Sequence, residues 1–483
     1  MERGFTVLLT LVAYNVTLVA IGLWSQRRTH DGVDYFLGGR RLGAWVASIS
    51  ASASSSSAWT LLAVSGAAFQ FGLSALWLFP ACVGGFVINW FVVAPRLRRL
   101  PSARNAVTLT EVLTGGLPGA NSAGQGVARA NVWLASGIVL FCFSVYVGSQ
   151  FHAAGKTFAD TFSMDEGQAI VIGGVVVLLY TFLGGFWAVS VTDTLQGLLM
   201  VVAAVVLPGV ALAKVGGLGA LVEGIRAVPG AEATSWTRNL TGAAALGFVV
   251  GTLGIGLGYP GQPHVVNRFM ALGGGHAALA RARIIAIAWA AVIYAGMLLL
   301  GLCGRVLFGE LRDQETILVR VSNELLPPLV AGVMVAAVLS AIMSTADSQL
   351  LVAASSVTHD LRFGGADARG MLRRSRLVVM VIGLLAIAIA LVMIRHKRIF
   401  DSVLFAWSAL GAAFGPLLLV TVFRGPRTPW CVLCTMGTGF VASIVASSTI
   451  SSPGKVLDNV VPFALALLMA LLPWRDATPK HRL

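Results

Sequence analysis

The stretch Leu339–Val352 reads LSAIMSTADSQLLV. It sets Ser340, Ser344, Thr345, Asp347, Ser348 and Gln349 inside an apolar run that extends from Pro328 to about Val357. A carboxylate at the depth of a bilayer costs about 2.5 to 3.5 kcal/mol or more, so it faces a cation, a cavity or a partner rather than lipid. A long apolar run with such an interval is the mark of a membrane-spanning chain whose function sits between its helices.

The rest of the chain agrees. Of its 483 residues 57% are hydrophobic and 11% charged, against about 25% charged in a soluble globular chain, and the mean hydropathy is +0.84. The formal charge of +14 does not point to nucleic acid, because the basic residues come in short clusters between apolar runs rather than along one face. Cys82, Cys142, Cys303, Cys431 and Cys434 form no metal or disulfide framework. The CxxC of Cys431 and Cys434 lies in the apolar run WCVLCTMGTGFVASIVA, where it reads as one face of a buried helix without a second ligand pair. The N-terminus lacks a basic leader and a small-residue cleavage site, so Phe5 onward reads as a retained span.

A helix crossing the hydrocarbon core needs about 20 mainly apolar residues. About thirteen stretches meet or approach that length, at roughly 5–25, 43–71, 73–95, 127–151, 168–188, 191–213, 241–262, 282–308, 328–358, 375–394, 399–422, 429–449 and 458–474. Most basic residues, among them Arg27, Arg28, Arg40, Arg41, Arg96, Arg98, Arg268, Arg281, Arg373, Arg475 and Lys480, then fall inside if the N-terminus is outside and the C-terminus cytoplasmic. Arg395, Lys397 and Arg398 run against this orientation, so a miscounted span near them is the point at which the topology could fail. The stretches between spans are too short to build a separate soluble core, so 1–483 reads as a single transmembrane domain.

Two spans carry breaks. Ser48–Trp59 reads SISASASSSSAW, poor helix material because serine hydroxyls compete for backbone hydrogen bonds. Gly251–Pro263 reads GTLGIGLGYPGQP, where proline removes a donor and glycine loosens the helix. Irregular backbone at membrane depth is tolerated only where protein or water lines it. The two broken spans are the second and the seventh, which divides the chain into two five-helix units, 43–213 and 241–422, with 1–42 and 429–483 peripheral. An odd number of helices per unit inverts the second unit, the pattern of secondary transporters with sites at the unwound midpoints.

At this point the sequence resembles the sodium/solute symporter family, closest to its sodium/proline symporter branch. The blocks that carry the resemblance are DYFLGGRRLG (Asp34 to Gly43), INWFVVAPRLR (Ile88 to Arg98), YTFLGGFWAVSVTDTLQ (Tyr180 to Gln196), GLGYPGQPHVVNRFMA (Gly256 to Ala271) and LSAIMSTADSQLLVAASSVTHDL (Leu339 to Leu361). The resemblance implies an all-α, LeuT-like core of ten helices, spans 2 to 11, in two inverted repeats. It implies Na+ as the coupling ion, held by backbone carbonyls of Ala53, Ser56 and Ala341 and the hydroxyls of Ser344 and Thr345, with Asp193 on the ion route. Asp347, about one turn beyond Ser344, would tune the field at that site. Sodium is a hard cation that takes oxygen ligands, and unwound helix ends free carbonyls to face it.

For the solute, the resemblance points to Ser57, Ala58, Tyr146, Ile255, Tyr259 and Pro263. Ile255 stands where the proline branch has a tryptophan, Ala58 where it has a glycine, and Ser55 where it has an aspartate. Losing the tryptophan implies a pocket open to a different or bulkier ligand. His264 reads as a hydrogen-bonded structural histidine ahead of a gating group, and Arg40 equally as an inner-gate contact or an interfacial anchor. The expected activity is symport of a small organic solute of amino acid or carboxylate type, with Na+ as coupling ion, no organic cofactor and no catalysis. Alternatives are coupling to H+ on Asp193 and Asp347, and a solute sensor without flux. The expected partners are the solute and the lipid bilayer of the cell inner membrane, with no nucleic acid and no obligate protein partner.

Overall fold

The computed structural model describes residues 2–25, 36–116, 125–181, 185–228, 232–362, 368–394, 398–449 and 456–474. Arg27, Arg28, Asp34, Arg395, Lys397, Arg475 and Lys480 lie outside them.

Among the described residues, ten helices are long and apolar enough to cross a membrane, with Glu166–Leu179 and Val461–Leu471 as shorter apolar helices. One of the ten, the run Trp59–Leu97, makes two crossings because it turns back at Gly72, where φ is +60°. A Cβ at Gly72 would stand 2.2 Å from the Ala233 carbonyl oxygen, so that corner needs glycine for its conformation and for its close approach. Each expected span therefore holds a helix. We label them α1 (Glu2–Ser25), α2 (Ala44–Ser55), α3 (Val64–Phe71), α4 (Leu78–Val87), α5 (Gln125–Phe162), α6 (Glu166–Thr181), α7 (Phe186–Val215), α8 (Gly242–Gly254), α9 (Pro263–Ala271), α10 (His276–Phe308), α11 (Pro328–Ser355), α12 (Ala368–Met393), α13 (Ile399–Arg424), α14 (Pro429–Thr449) and α15 (Val461–Leu471).

Burial separates centre from periphery. In the spans built on α11 and α13, 83% and 89% of the apolar window is buried, against 22% for α1 and 33% for α14. Close packing of the central helices rests on small residues, as in other membrane bundles: a Cβ at Gly301 of α10 would meet the Ser65 carbonyl oxygen at 2.1 Å, and one at Gly296 the Ala204 oxygen at 2.0 Å.

Both broken spans are present, each with its break inside the stretch that composition marks. The serine run stays helical through Ser55 and breaks only at Ser56 (φ −112°, ψ 82°). Several of its hydroxyls fold back onto the helix, Ser48 onto the Ala44 oxygen at 2.6 Å and Ser55 onto the Ser52 oxygen at 2.9 Å, which satisfies them without unwinding it. The seventh span does not end at 262. A 3-10 turn (Ile255–Gly261) leads to extended Gln262 (φ −95°, ψ 103°), and Pro263 then opens α9 at the position where a missing N–H costs nothing. Positive-inside counting also treats Arg268 as a surface residue, whereas it is only 1% exposed.

The two ends of the bundle differ. At one, Arg40 donates to the Ala103 oxygen at 3.0 Å, Leu42 pairs with Leu272, and Arg98 donates to the Leu272 oxygen at 3.1 Å. Arg40 thus contacts the mouth rather than only the interface. At the other end Arg398 donates to Gln70 Oε1 at 2.6 Å, and α12 and α13 flank it as two separate helices.

Candidate functional site

The break after Ser55 leaves the Ala53 and Ser54 carbonyls facing α11. Ser344 Oγ lies 3.3 Å from both the Ala53 and the Ala341 oxygens, and Thr345 Oγ1 donates to the Ser54 oxygen at 3.2 Å. The Ser56 N–H donates back to the Ala53 oxygen at 3.1 Å, while the Ser56 hydroxyl has no hydrogen-bond partner among the described residues. Ala53, Ser56, Ala341, Ser344 and Thr345 are all fully buried. The structure thus joins Ala53, Ala341 and Ser344 directly and brings Thr345 alongside on the next carbonyl. His264 is buried with Nε2 3.2 Å from the same Ser54 oxygen and its ring edge-on to Phe143, a structural place at the start of α9.

Beside this set lies a charged cluster. Arg268 of α9 pairs with Asp193 of α7 at 3.0 Å and donates to Ser50 Oγ at 3.1 Å, to Ser348 Oγ and to the His264 oxygen. Ser50 in turn donates to Asp193 Oδ2 at 2.7 Å. Asp347 is fully buried and neither of its oxygens has a hydrogen-bond partner among the described residues. An unpaired buried carboxylate is expensive, which makes Asp347 a candidate functional position. Hydropathy gives no sign of Arg268, because a basic residue at a span end looks like an interfacial anchor.

A second, nearly closed cavity of about 10 Å³ is lined by Ser55, Trp59, Tyr146, Ile255, Tyr259, Tyr294, Val403, Leu404 and Trp407. Of the solute residues read from sequence, Tyr146, Ile255 and Tyr259 line it. Ser57 borders it through the Tyr146 hydroxyl at 3.3 Å. Ala58 and Pro263 are off the lining: the Ala58 N–H donates to Gln150 Oε1 at 3.0 Å, and Pro263 heads α9. Trp59, Tyr294 and Trp407 were missed because an aromatic in an apolar run looks like any core residue. Trp407 Nε1 donates to the Ile255 oxygen at 3.1 Å, and its ring stands edge-on to Tyr259, with centroids 4.7 Å apart. The Tyr259 and Tyr294 hydroxyls bond to each other at 2.9 Å. No ionised side chain lines this cavity.

Next to it opens a vestibule of about 280 Å³, whose lining includes Gln70, Arg238, Glu315, Arg398, Phe400 and Asp401. Ile255 and Leu404 line both spaces, and the Trp59 and Phe400 rings, 5.4 Å apart, stand between them. The partition is anchored by Glu315, which accepts the N–H groups of Ile399 and Phe400 at the start of α13 and an ion pair from Lys156 at 2.8 Å. Asp313 takes the same ammonium at 2.8 Å. Burial pushes the Asp313 carboxyl up, but the Lys156 charge and hydrogen bond outweigh it and hold the group below its ordinary range.

Comparison with known proteins gives one family. Residues 35–429 match the profile of the Sodium:solute symporter family. The sodium/proline symporter of Escherichia coli (strain K12) is 34% identical over 453 residues, covering 91% of this chain and 87% of the relative. An osmoregulated proline transporter of Bacillus subtilis (strain 168) is 33% identical over 491 residues, covering 99% and 97%. Among solved structures, a Na+-coupled sialic acid symporter in a substrate-bound outward-open state superposes with a TM-score of 0.78 at 18% identity, covering 97% of each chain. A nucleobase-cation-symport-1 family transporter in a closed conformation gives 0.55 at 13% identity, covering 90% of this chain and 93% of the other. This chain shares the LeuT-like fold with these two solved structures.

Proposed function

The chain belongs to the sodium:solute symporter family, and from that premise we propose which residues carry ion and solute. It is a sodium-coupled solute symporter and not an enzyme. In this reading the cation is held by the carbonyls of Ala53, Ser56 and Ala341 with the hydroxyls of Ser344 and Thr345. The observation that carries it is the 3.3 Å separation of Ser344 Oγ from both the Ala53 and Ala341 oxygens. Oxygens that close together could serve as neighbouring ligands of one hard cation, which takes oxygen ligands. Asp193, paired with Arg268, and Asp347, buried beside that pair, lie along the ion route.

The solute is a small zwitterion of the proline type, as in the relatives, held between Tyr146, Ile255 and Tyr259 when these side chains part to widen the cavity of about 10 Å³ that they line. Without a carboxylate in the lining, its ammonium rests on ring faces, a cation–π contact worth about 0.5 to 2 kcal/mol or more when dry. An alkylated nitrogen, with fewer N–H groups to satisfy, suits such a lining better than a primary one. Trp407 supplies from α13 the flat wall that Ile255 does not. The units 43–213 and 241–422 act as inverted repeats, and the vestibule faces outside together with the N-terminus, leaving the C-terminus cytoplasmic in the cell membrane. One cation moving down about 100 mV supplies about 2.3 kcal/mol and a tenfold gradient about 1.4 kcal/mol more, enough for accumulation of several hundredfold.

The test is uptake of labelled proline by proteoliposomes. A sodium gradient should drive it, and Ser344→Ala should raise the sodium requirement about tenfold or more, the worth of a hydrogen-bonding ligand to a charge. Uptake indifferent to the gradient would sink the reading. The buried, unpartnered Asp347 favours one alternative, coupling to H+. Solute-driven alkalinisation of the external medium that Asp347→Asn abolishes would support it.

A further inference from the structure

The sequence reading makes α1 peripheral, and most of it is, yet one side chain on it reaches the centre. Tyr14 OH lies 2.7 Å from Ser340 Oγ of α11. Ser340 Oγ donates in turn to the Ala336 oxygen at 2.8 Å, and Ser340 directly precedes Ala341, whose carbonyl takes the Ser344 hydroxyl. Helix α1 is seated tightly on α11: a Cβ at Gly332 would stand 2.9 Å from Thr10 Cβ, and Val7, Leu11 and Leu18 are buried. A neighbouring polar side chain on α1, Asn15, bonds only within its own helix, to the Leu11 oxygen at 2.8 Å.

We propose that Tyr14 is a positioning residue for the cation site, so that α1 sets the sodium affinity of a core it does not belong to. The hydroxyl fixes the Ser340 side chain and with it the turn of α11 from Ala336 to Ala341. That turn carries one of the carbonyls facing the break in α2. Removing the hydroxyl leaves packing intact, because the ring stays, and frees the turn.

The inference rests on the sodium reading above and is tested by Tyr14→Phe in the full-length protein. Sodium-dependent thermal stabilisation of the purified protein and sodium-dependent uptake are both measured. The sodium concentration for half-effect should rise about two- to tenfold, the worth of one neutral hydrogen bond, while solute half-saturation at saturating sodium stays within twofold. Ser340→Ala should raise it similarly, and the double variant should be no worse than the poorer single one. Asn15→Ala should match the wild type. A Tyr14→Phe protein with an unchanged sodium response overturns the proposal alone. A wild type that sodium neither stabilises nor drives overturns the symport reading and this proposal together. A loss of stability in Tyr14→Phe without sodium, and equal sodium response once folded, would show a merely structural contact.

Discussion

Asp347 and Gly258 carry the residue-scale predictions. Asp347 is buried without a hydrogen-bond partner beside the Asp193–Arg268 pair, so Asp347→Asn keeps the shape and removes only charge. Sodium half-saturation should rise about five- to fiftyfold, the equivalent of 1 to 2.3 kcal/mol, while expression stays near wild type. Unchanged sodium dependence would show that this carboxylate does not sense the ion. At Gly258 a Cβ would stand 2.1 Å from Trp407 Nε1, which is already tied to the Ile255 oxygen. Gly258→Ala should therefore cost about 1 to 3 kcal/mol of packing and weaken solute binding, read as a lower thermal midpoint and a smaller solute-induced shift. The polar residues of α11 were legible in the sequence because hydroxyls and a carboxylate in an apolar helix need a reason. Arg268, Tyr294 and Trp407 were not, since their roles depend on which helix they meet.

At the scale of elements, the mouth formed by residues 98–114 and the end of the α11 span is held by side chains from distant parts of the chain. Thr108 Oγ1 donates to Asp360 Oδ1 at 2.6 Å, and Glu111 Oε2 accepts from the Val107 N–H at 2.8 Å and lies 3.2 Å from His359 Nε2. Partial burial pushes the Glu111 carboxyl up, but the His359 and Val107 hydrogen bonds outweigh it and leave the group below its ordinary range. A depressed carboxyl contributes stability that is fully present above its unfolded value and is lost as pH falls through the folded one. Through Glu111 the mouth should thus loosen in acid, below the usual Glu range. Both partners are about a third exposed, so Glu111→Gln should cost at most about 1 kcal/mol. A cysteine placed at Ser102 should be labelled up to about fivefold faster in that variant, and an equal rate would show the contact to be idle. The broken spans and the stretches that hold their breaks followed from composition; what did not was that back-bonded hydroxyls carry α2 to Ser55 and that Pro263 opens a helix.

For the whole molecule, the proposed outside N-terminus predicts that an epitope tag fused before Met1 is labelled on intact cells while a C-terminal tag is not; the reverse pattern would invert the bundle. The architecture was legible because hydropathy counts helices well and two interrupted ones at matching positions limit the fold. The seating of Tyr14 against α11 was not, because a helix judged by its mean apolarity hides the one side chain that matters. The walls on either side of the solute cavity differ in depth. Toward the vestibule stand little more than the Trp59 and Phe400 rings. Toward the other end lie, in succession, His264, the Arg268–Asp193 pair, Trp90 against Phe269, and the Leu42–Leu272 bridge. A thin wall opens by turning rings, a fast motion, and a deep one by moving helices, which takes microseconds to milliseconds. Loading should therefore outrun delivery, and rapid-mixing experiments should show a burst of about one solute captured per protein before steady uptake begins. The slow step of the cycle is then release, and the concentration that half-saturates transport lies below the one at which solute and protein truly half-associate.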